Sequence, residues 1–217
     1  MKKTVIIFDL DGTLLDTLDD LADSGNAVLQ AHGHAAHAVE AYRTFIGDGM
    51  GKLVQRIFPC GEVEDPAVLD LRLAEYKEAY QQRWKNKTRV YDGITDLLAE
   101  LSQRAVKTGV LTNKAHVFAL KCVEEFLGEH AWDVVLGQRE GVARKPDAAG
   151  ALDALQSMGT SADKAIFVGD SSVDMQTAVN AGIKAVGVSW GFRGREELIA
   201  NGASVVIDTP GELLELL

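Results

Sequence analysis

Two aspartates, Asp9 and Asp11, close an apolar run in the stretch TVIIFDLDGTLLDT, Thr4–Thr17. Asp11-Gly12 is a common turn pair, which alone would account for one of them. Other groups of matching chemistry stand after later apolar runs. Thr112 and Asn113 end KTGVLTN, Lys145 precedes Pro146 in ARKPDA, and Asp170 ends KAIFVGD with Asp174 four residues on. Gathered in one place, Asp9, Asp11 and Asp170 would repel: two carboxylates about 4 Å apart cost roughly 4 kcal/mol at an effective dielectric of 20. Oxygen donors without His or Cys suit a hard cation, Mg²⁺ above all when a phosphate shares the site. Lys145 adds a fixed positive charge, and Thr112 and Asn113 add neutral donors. Such a set can hold a phosphoryl group while one carboxylate is free to attack it.

Chain-distant groups meet only if the runs before them lie side by side. TVIIFDL, KTGVLTN, WDVVLG, KAIFVGD, KAVGVSW and ASVVID are continuous rather than alternating, the pattern of strands covered on both faces. Helix-like segments lie between them at 94–102, 115–127, 147–158, 173–181 and 196–200. The alternation predicts an α/β fold, a doubly wound, mostly parallel, Rossmann-like sheet, with the polar groups at the strand ends. Residues 16–84 break the rhythm, with no strand-like run. Leu18, Leu21, Ala22, Val28 and Leu29 share one helical face; Leu69, Leu73, Tyr76, Tyr80 and Trp84 share another, in a helix starting at Asp65-Pro66. We therefore expect a core of 1–15 and 86–217 interrupted by an all-helical cap at 16–85. The cap would cover the strand carboxyl ends, where open α/β sheets bind ligands. The alternative is that these helices simply pack on the sheet.

A chain of 217 residues can bury a full core, and a net charge of −10 argues against binding nucleic acid or anionic membranes. Cys60 and Cys122 form neither a disulfide framework nor a zinc pattern. Lys2 and Lys3 precede an apolar run too short for a signal peptide, and no run is long enough to span a membrane. These features predict a cytoplasmic protein. GDGMGK is not a nucleotide loop, since Ile46 and Leu53 stand where a Walker pattern needs Gly and Ser or Thr. Gly47 and Gly49 are instead expected in a substrate-facing loop of the cap. Lys52 reads as a solvated charge, and His32, His34 and His37 read as an exposed turn rather than a metal site. The glutamate-rich C-terminus reads as a short amphipathic helix.

FDLDGTLLDT, VLTNK, RKPDA and VGDSSVDM, in this order, resemble the four motifs of the haloacid dehalogenase-like (HAD) superfamily in its phosphatase branch. The helical insertion after the first motif resembles the subgroup containing phosphoglycolate phosphatases and β-phosphoglucomutases. VYDGI and WGFRGREEL resemble phosphoglycolate phosphatase relatives in particular. Family members often carry Pro where Ala148 stands. The resemblance implies a Mg²⁺-dependent phosphatase for a small phosphorylated metabolite, with 2-phosphoglycolate the first choice. It implies Asp9 as a nucleophile that becomes an aspartyl-phosphate, and Asp11 as the proton donor to the leaving alcohol and then the base for water. Thr112 and Asn113 would hold phosphoryl oxygens or neighbouring substrate groups, and Lys145 would neutralise the phosphate and orient Asp9. Mg²⁺ would be held by Asp9, the backbone carbonyl of Asp11 and Asp170, with Asp174 in or beside the ligand set. Gly12 would let the chain turn away and Thr13 would brace the Asp9–Asp11 loop. Phosphoglucomutase chemistry, phosphonatase chemistry with Lys52 forming an imine, and a non-catalytic binding protein are the alternatives. Dehalogenase chemistry would leave Asp11 and Asp170 idle. Oligomeric state is not legible in the sequence.

Overall fold

The computed structural model describes residues 4–217, so Lys2 and Lys3, weighed above as part of a leader, lie outside the described residues. The chain forms β1 (Val5–Phe8) and β2 (Leu15–Asp16), then the helices α1 (Leu18–Ala31), α2 (Val39–Phe45), α3 (Met50–Ile57) and α4 (Pro66–Gln81). After β3 (Arg89–Val90) it alternates: α5 (Ile94–Gln103), β4 (Lys107–Ala115), α6 (His116–Leu127), β5 (Val134–Gln138), α7 (Ala149–Ser157), β6 (Ala165–Gly169), α8 (Ser172–Asn180), β7 (Lys184–Val188), α9 (Arg195–Ala200) and β8 (Val205–Ile207). Two compact units result, one of residues up to Asp16 together with Val90–Leu217, the other of Thr17–Arg89.

The first unit is the expected doubly wound α/β domain. Its six-stranded sheet runs β5-β4-β1-β6-β7-β8, with every described pairing in this sheet parallel. The chain winds outward from β1 through β4 to β5, then returns to the other side of β1 for β6, β7 and β8. The strand order thus reverses at β1, and in such sheets the crevice at the carboxyl ends beside the reversal is where ligands bind. The all-apolar run of β1 follows from its central place. Val5 and Ile7 join the cluster that α7 and α8 cover, and Ile6 and Phe8, pointing to the other face, are just as buried. Residues Pro210–Leu216 form a 3₁₀ helix rather than the expected amphipathic helix of α type. A capping box of Thr209 and Glu212 starts it, and seven residues are too few to need an α-helical stripe.

The second unit is wholly helical. Leu18, Leu21, Ala22, Val28 and Leu29 are buried along α1. Pro66 opens α4, and Asp65 caps it by accepting from the Ala67 N–H at 2.8 Å. Tyr76 and Tyr80 are fully buried, whereas α4 ends at Gln81 and leaves Trp84 in the following turn. The His32–His37 segment is not an open turn. His32 Nε2 lies 2.7 Å from Glu75 Oε2, His34 Nε2 2.9 Å from Glu62 Oε1, and His37 Nε2 2.8 Å from the Ile57 carbonyl. Each ring has its own partner, so the three do not converge as metal ligands would. Lys52 is exposed.

One buried acid ties the ends of this unit together. Asp20 on α1 accepts from the Lys87 N–H at 3.0 Å and from the Thr88 N–H and hydroxyl, both at 2.8 Å. Asp20→Ala would strand three buried or half-buried donors. It is expected to lower the melting temperature by roughly 4 °C or more, as scanning calorimetry would show; an unchanged transition would mean water replaces the carboxylate at no cost.

Candidate active site

The site is built on the turn after β1. Asp9 continues the ladder one residue beyond the strand, its N–H donating to the Val168 carbonyl at 2.9 Å. The Leu10 carbonyl then collects the N–H groups of Thr13, Leu14 and Leu15, closing a tight turn anchored by buried Leu10 and Leu14. Gly12 sits in this turn at φ 84°, and a Cβ there would stand 2.3 Å from Asp170 Oδ2. Only glycine tolerates both the angle and the approach. The loop after β7 closes the other side: Trp190 Nε1 donates to the Thr13 carbonyl at 3.0 Å and the Phe192 N–H to Asp170 Oδ2 at 2.7 Å. Thr13 Oγ1 donates to Asp170 Oδ1 at 3.3 Å.

The neighbouring strand supplies the next groups. The β4–β5 register shifts between Leu111 and Ala115, an irregularity of the kind that re-aims side chains beside active sites. Thr112, Asn113 and Lys114 fall in it, all buried. Asn113 clasps the Lys145 backbone, accepting from its N–H at 2.9 Å and donating to its carbonyl at 3.1 Å. This clasp places the Lys145 ammonium 2.8 Å from Asp9 Oδ1 and 2.6 Å from Asp174 Oδ1. The other Asp174 oxygen accepts from the Ser171 N–H and hydroxyl in the capping box of α8.

Asp9, Asp170 and Asp174 each bring a carboxylate oxygen within 4.8 Å of the others, and all three residues are buried. Burial raises Asp9 to about 7, with Asp174 and Asp11 adding repulsion that Lys145 only partly offsets. Burial and the charges of Asp174 and Asp9 push Asp170 well above the usual carboxylate range, against the Phe192 N–H and Arg193. Burial alone would lower Lys145, but Asp174 and Asp9 outweigh it and hold the ammonium charged. Asp9 Oδ1 is buried, with the Lys145 ammonium 2.8 Å away as its ion-pair partner. Three buried carboxylates with only one ammonium among them, offering oxygen donors only, fit a hard divalent cation. Both oxygens of Asp170 and both of Asp174 accept hydrogen bonds from protein donors, whereas Asp9 Oδ1 meets only the Lys145 ammonium.

Contacts in the core unit thus join Asp9, Asn113, Lys145, Asp170 and Asp174, with Asp11 close enough to act on Asp9, while Thr112 Oγ1 accepts from the Lys114 N–H at 3.2 Å. Gly47 and Gly49 belong to the helical unit, at φ 121° and 85° before α3. Two features had no role in the sequence reading. Lys114, whose side chain is 2% exposed, donates to Asp11 Oδ1 at 2.8 Å and Oδ2 at 3.2 Å. The Trp190–Phe192 contacts reach across the sheet to the first motif. The signal for Lys114 was a lysine inside an otherwise buried run; its direction depends on the strand irregularity, which no spacing reveals.

The fold agrees with the comparisons to known proteins. Residues 6–188 match the family model for haloacid dehalogenase-like hydrolases. The chain belongs to that family, and it is an enzyme of its phosphatase branch, a phosphoric monoester hydrolase. It is 36% identical to a phosphoglycolate phosphatase of Rhodospirillum rubrum, over 96% of this chain and 88% of that protein. It is 33% identical to an N-acetylmuramic acid 6-phosphate phosphatase of Pseudomonas aeruginosa, over 100% of this chain and 96% of that one. A crystal structure from Lactobacillus delbrueckii superposes with a TM-score of 0.92 at 31% identity, covering 100% of this chain and 98% of the other.

The cluster has a consequence for stability. A carboxylate whose pKa rises on folding keeps a proton that the unfolded chain has released. Its penalty is absent below about pH 4 and grows until the folded group ionises, for Asp9 at about 7. In chelator, Asp9→Asn is therefore expected to melt several degrees above the unsubstituted protein at pH 8, with the gain shrinking as pH falls to 4. A melting temperature that is lower, or a gain independent of pH, would contradict the crowding described.

Proposed function

We propose that this phosphatase is Mg²⁺-dependent and works through an aspartyl-phosphate on Asp9, with 2-phosphoglycolate as its first substrate. The observation that carries the reading is Asp9 itself: a buried carboxylate 2.8 Å from a charged lysine, with carboxylate oxygens of Asp170 and Asp174 within 4.8 Å. Asp9 and Asp170, with the Asp11 backbone carbonyl, would hold Mg²⁺, and Asp174 stands beside them holding Lys145. When bound, the ion supplies positive charge that favours ionised Asp9 and draws electron density from the phosphoryl oxygens.

The chain's own residues then divide the work. An Asp9 oxygen forms a bond to phosphorus as the ester O–P bond breaks, and Asp11 gives its proton to the departing alkoxide. Asp11, now a carboxylate, takes a proton from water as that water attacks the same phosphorus and releases Asp9 and inorganic phosphate. Lys145 offsets the charge on Asp9 and the phosphoryl group, and Thr112 donates to a phosphoryl oxygen. Asn113 acts through Lys145, whose backbone it fixes. The helical module 16–85 is read as the cap that selects the organic part of the substrate, with Gly47 and Gly49 in its substrate-facing loop. Neither Cys60 nor Cys122 is in a disulfide among the described residues, which suits a cytoplasmic setting. Among the described residues no helix is long and apolar enough to cross a membrane.

A second substrate reading has specific support. The P. aeruginosa relative named for N-acetylmuramic acid 6-phosphate aligns over all of this chain, so a larger phosphosugar is the competitor. A phosphate-release panel decides between them, using 2-phosphoglycolate, N-acetylmuramic acid 6-phosphate, hexose phosphates, nucleotides and phosphonoacetaldehyde, each with Mg²⁺ and with chelator. We expect kcat/KM for 2-phosphoglycolate to exceed the others by about tenfold or more, a difference of about 1.4 kcal/mol in transition-state binding. A preference for the muramic acid ester would transfer the assignment to the second reading, and release that survives chelator would remove the metal. Asp9→Asn is expected to lower kcat by roughly 10³-fold or more, the scale of losing a nucleophile. Acid-quenched unsubstituted enzyme should yield a phosphorylated Asp9 peptide; turnover retained in the variant would overturn the covalent mechanism.

A further inference from the structure

Lys114 is a buried cation that the proposed chemistry leaves without a task. Its ammonium donates to both oxygens of Asp11, at 2.8 and 3.2 Å, with the two side chains 2% and 13% exposed. It comes from β4, the neighbour of β1, out of the segment where the strand register shifts. Lys145 holds Asp9 from one side of the β1 turn, and Lys114 holds Asp11 from β4. A buried ion pair is a poor way to stabilise a fold, since apolar replacements of similar volume are often neutral or better. One ammonium shared between both oxygens restrains the carboxylate it holds, and a proton donor must be within hydrogen-bond reach of the atom it serves.

We propose that Lys114 is a positioning residue: its two-point contact sets the orientation in which Asp11 meets the leaving-group oxygen. The assignment rests on reading Asp11 as the group that protonates that oxygen. It predicts that the need for Lys114 depends on how much the leaving group needs a proton. An alkyl alcohol leaves only with protonation; p-nitrophenolate leaves without it. Because kcat/KM reports the steps up to the covalent intermediate, it isolates this proton transfer from the later attack of water.

The experiment measures kcat/KM for 2-phosphoglycolate and for p-nitrophenyl phosphate in the unsubstituted enzyme, Lys114→Met, Asp11→Ala and the double variant, with melting temperatures for each. If 2-phosphoglycolate is not turned over, the alkyl phosphate most active in the phosphate-release panel takes its place. Lys114→Met should lower kcat/KM for the alkyl ester at least about tenfold more than for the aryl ester, within the range of general acid catalysis. In the Asp11→Ala background, Lys114→Met should cost no more than about threefold further, because the two act as one unit. Lys114→Arg keeps the charge but alters the reach, and should show the same discrimination at smaller size. It serves as the test if the Met variant does not fold. Equal losses for both esters, or losses that multiply in the double variant, would overturn the proposal by making Lys114 a structural lysine. If Asp11→Ala itself fails to discriminate between the esters, the reading of Asp11 as proton donor falls, and the role of Lys114 falls with it. Discrimination by Asp11→Ala with none by Lys114→Met would remove Lys114 alone.

Discussion

Crowded negative charge at the end of β1 is the constraint on which the site depends. Asp9, Asp170 and Asp174 bring oxygens within 4.8 Å of one another out of reach of bulk water, and one ammonium, that of Lys145, lies among them. Burial and mutual repulsion oppose ionisation of Asp9 and Asp170, so the protein alone does not balance the cluster. A site of this kind is costly in folding terms and useful in chemical ones. It attracts a cation, and cation and lysine together create a place for a phosphoryl dianion beside an ionisable carboxylate. The same frustration that raises Asp9 is what a metal and substrate would relieve on the proposed reading.

Holding that arrangement falls mainly to the backbone and to neutral side chains. Gly12 lets the first turn close on Asp170, Phe192 offers a backbone N–H to the same carboxylate, and Trp190 holds the Thr13 carbonyl. Asn113 fixes Lys145 through its peptide groups rather than its ammonium, leaving the charge free to divide between Asp9 and Asp174. The groups proposed to react are therefore set by elements from β1, β4, β6 and β7, which only the parallel sheet brings to one edge. A local change in any of these loops acts on Asp9 at a distance through hydrogen bonds of known length.

Much of this was legible in the sequence because buried parallel strands are continuous apolar runs, and the polar residues that interrupt them stand out. Asp9, Thr112 and Asp170 are visible for that reason, and the missing strand signal between Asp16 and Trp84 exposes the helical insertion. Lys114 and Asn113 lie in the same short stretch, yet their tasks were not legible. The register shift in β4, four residues there against two in β5, falls on both of them, and strand spacing assumes no irregularity. The partners of the His32–His37 turn are hidden from local pattern, since Glu62, in the turn before α4, and Glu75, on α4, lie about thirty to forty residues away. The contacts of Trp190 and Phe192 are longer-range still. Local pattern reports which residues are unusual for their element; it reports partners only when they are near in sequence.

The central claim is that the carboxylate cluster is incomplete without a divalent cation. The most direct measurement is calorimetric titration of the metal-free protein with Mg²⁺ near pH 7, in two buffers of different ionisation enthalpy, for the unsubstituted protein and for Asp170→Asn. The account predicts one bound ion, displacement of a proton from the cluster, seen as a buffer-dependent heat, and affinity at least about tenfold weaker in the variant. No binding, or binding that releases no proton and ignores the loss of Asp170, would contradict it.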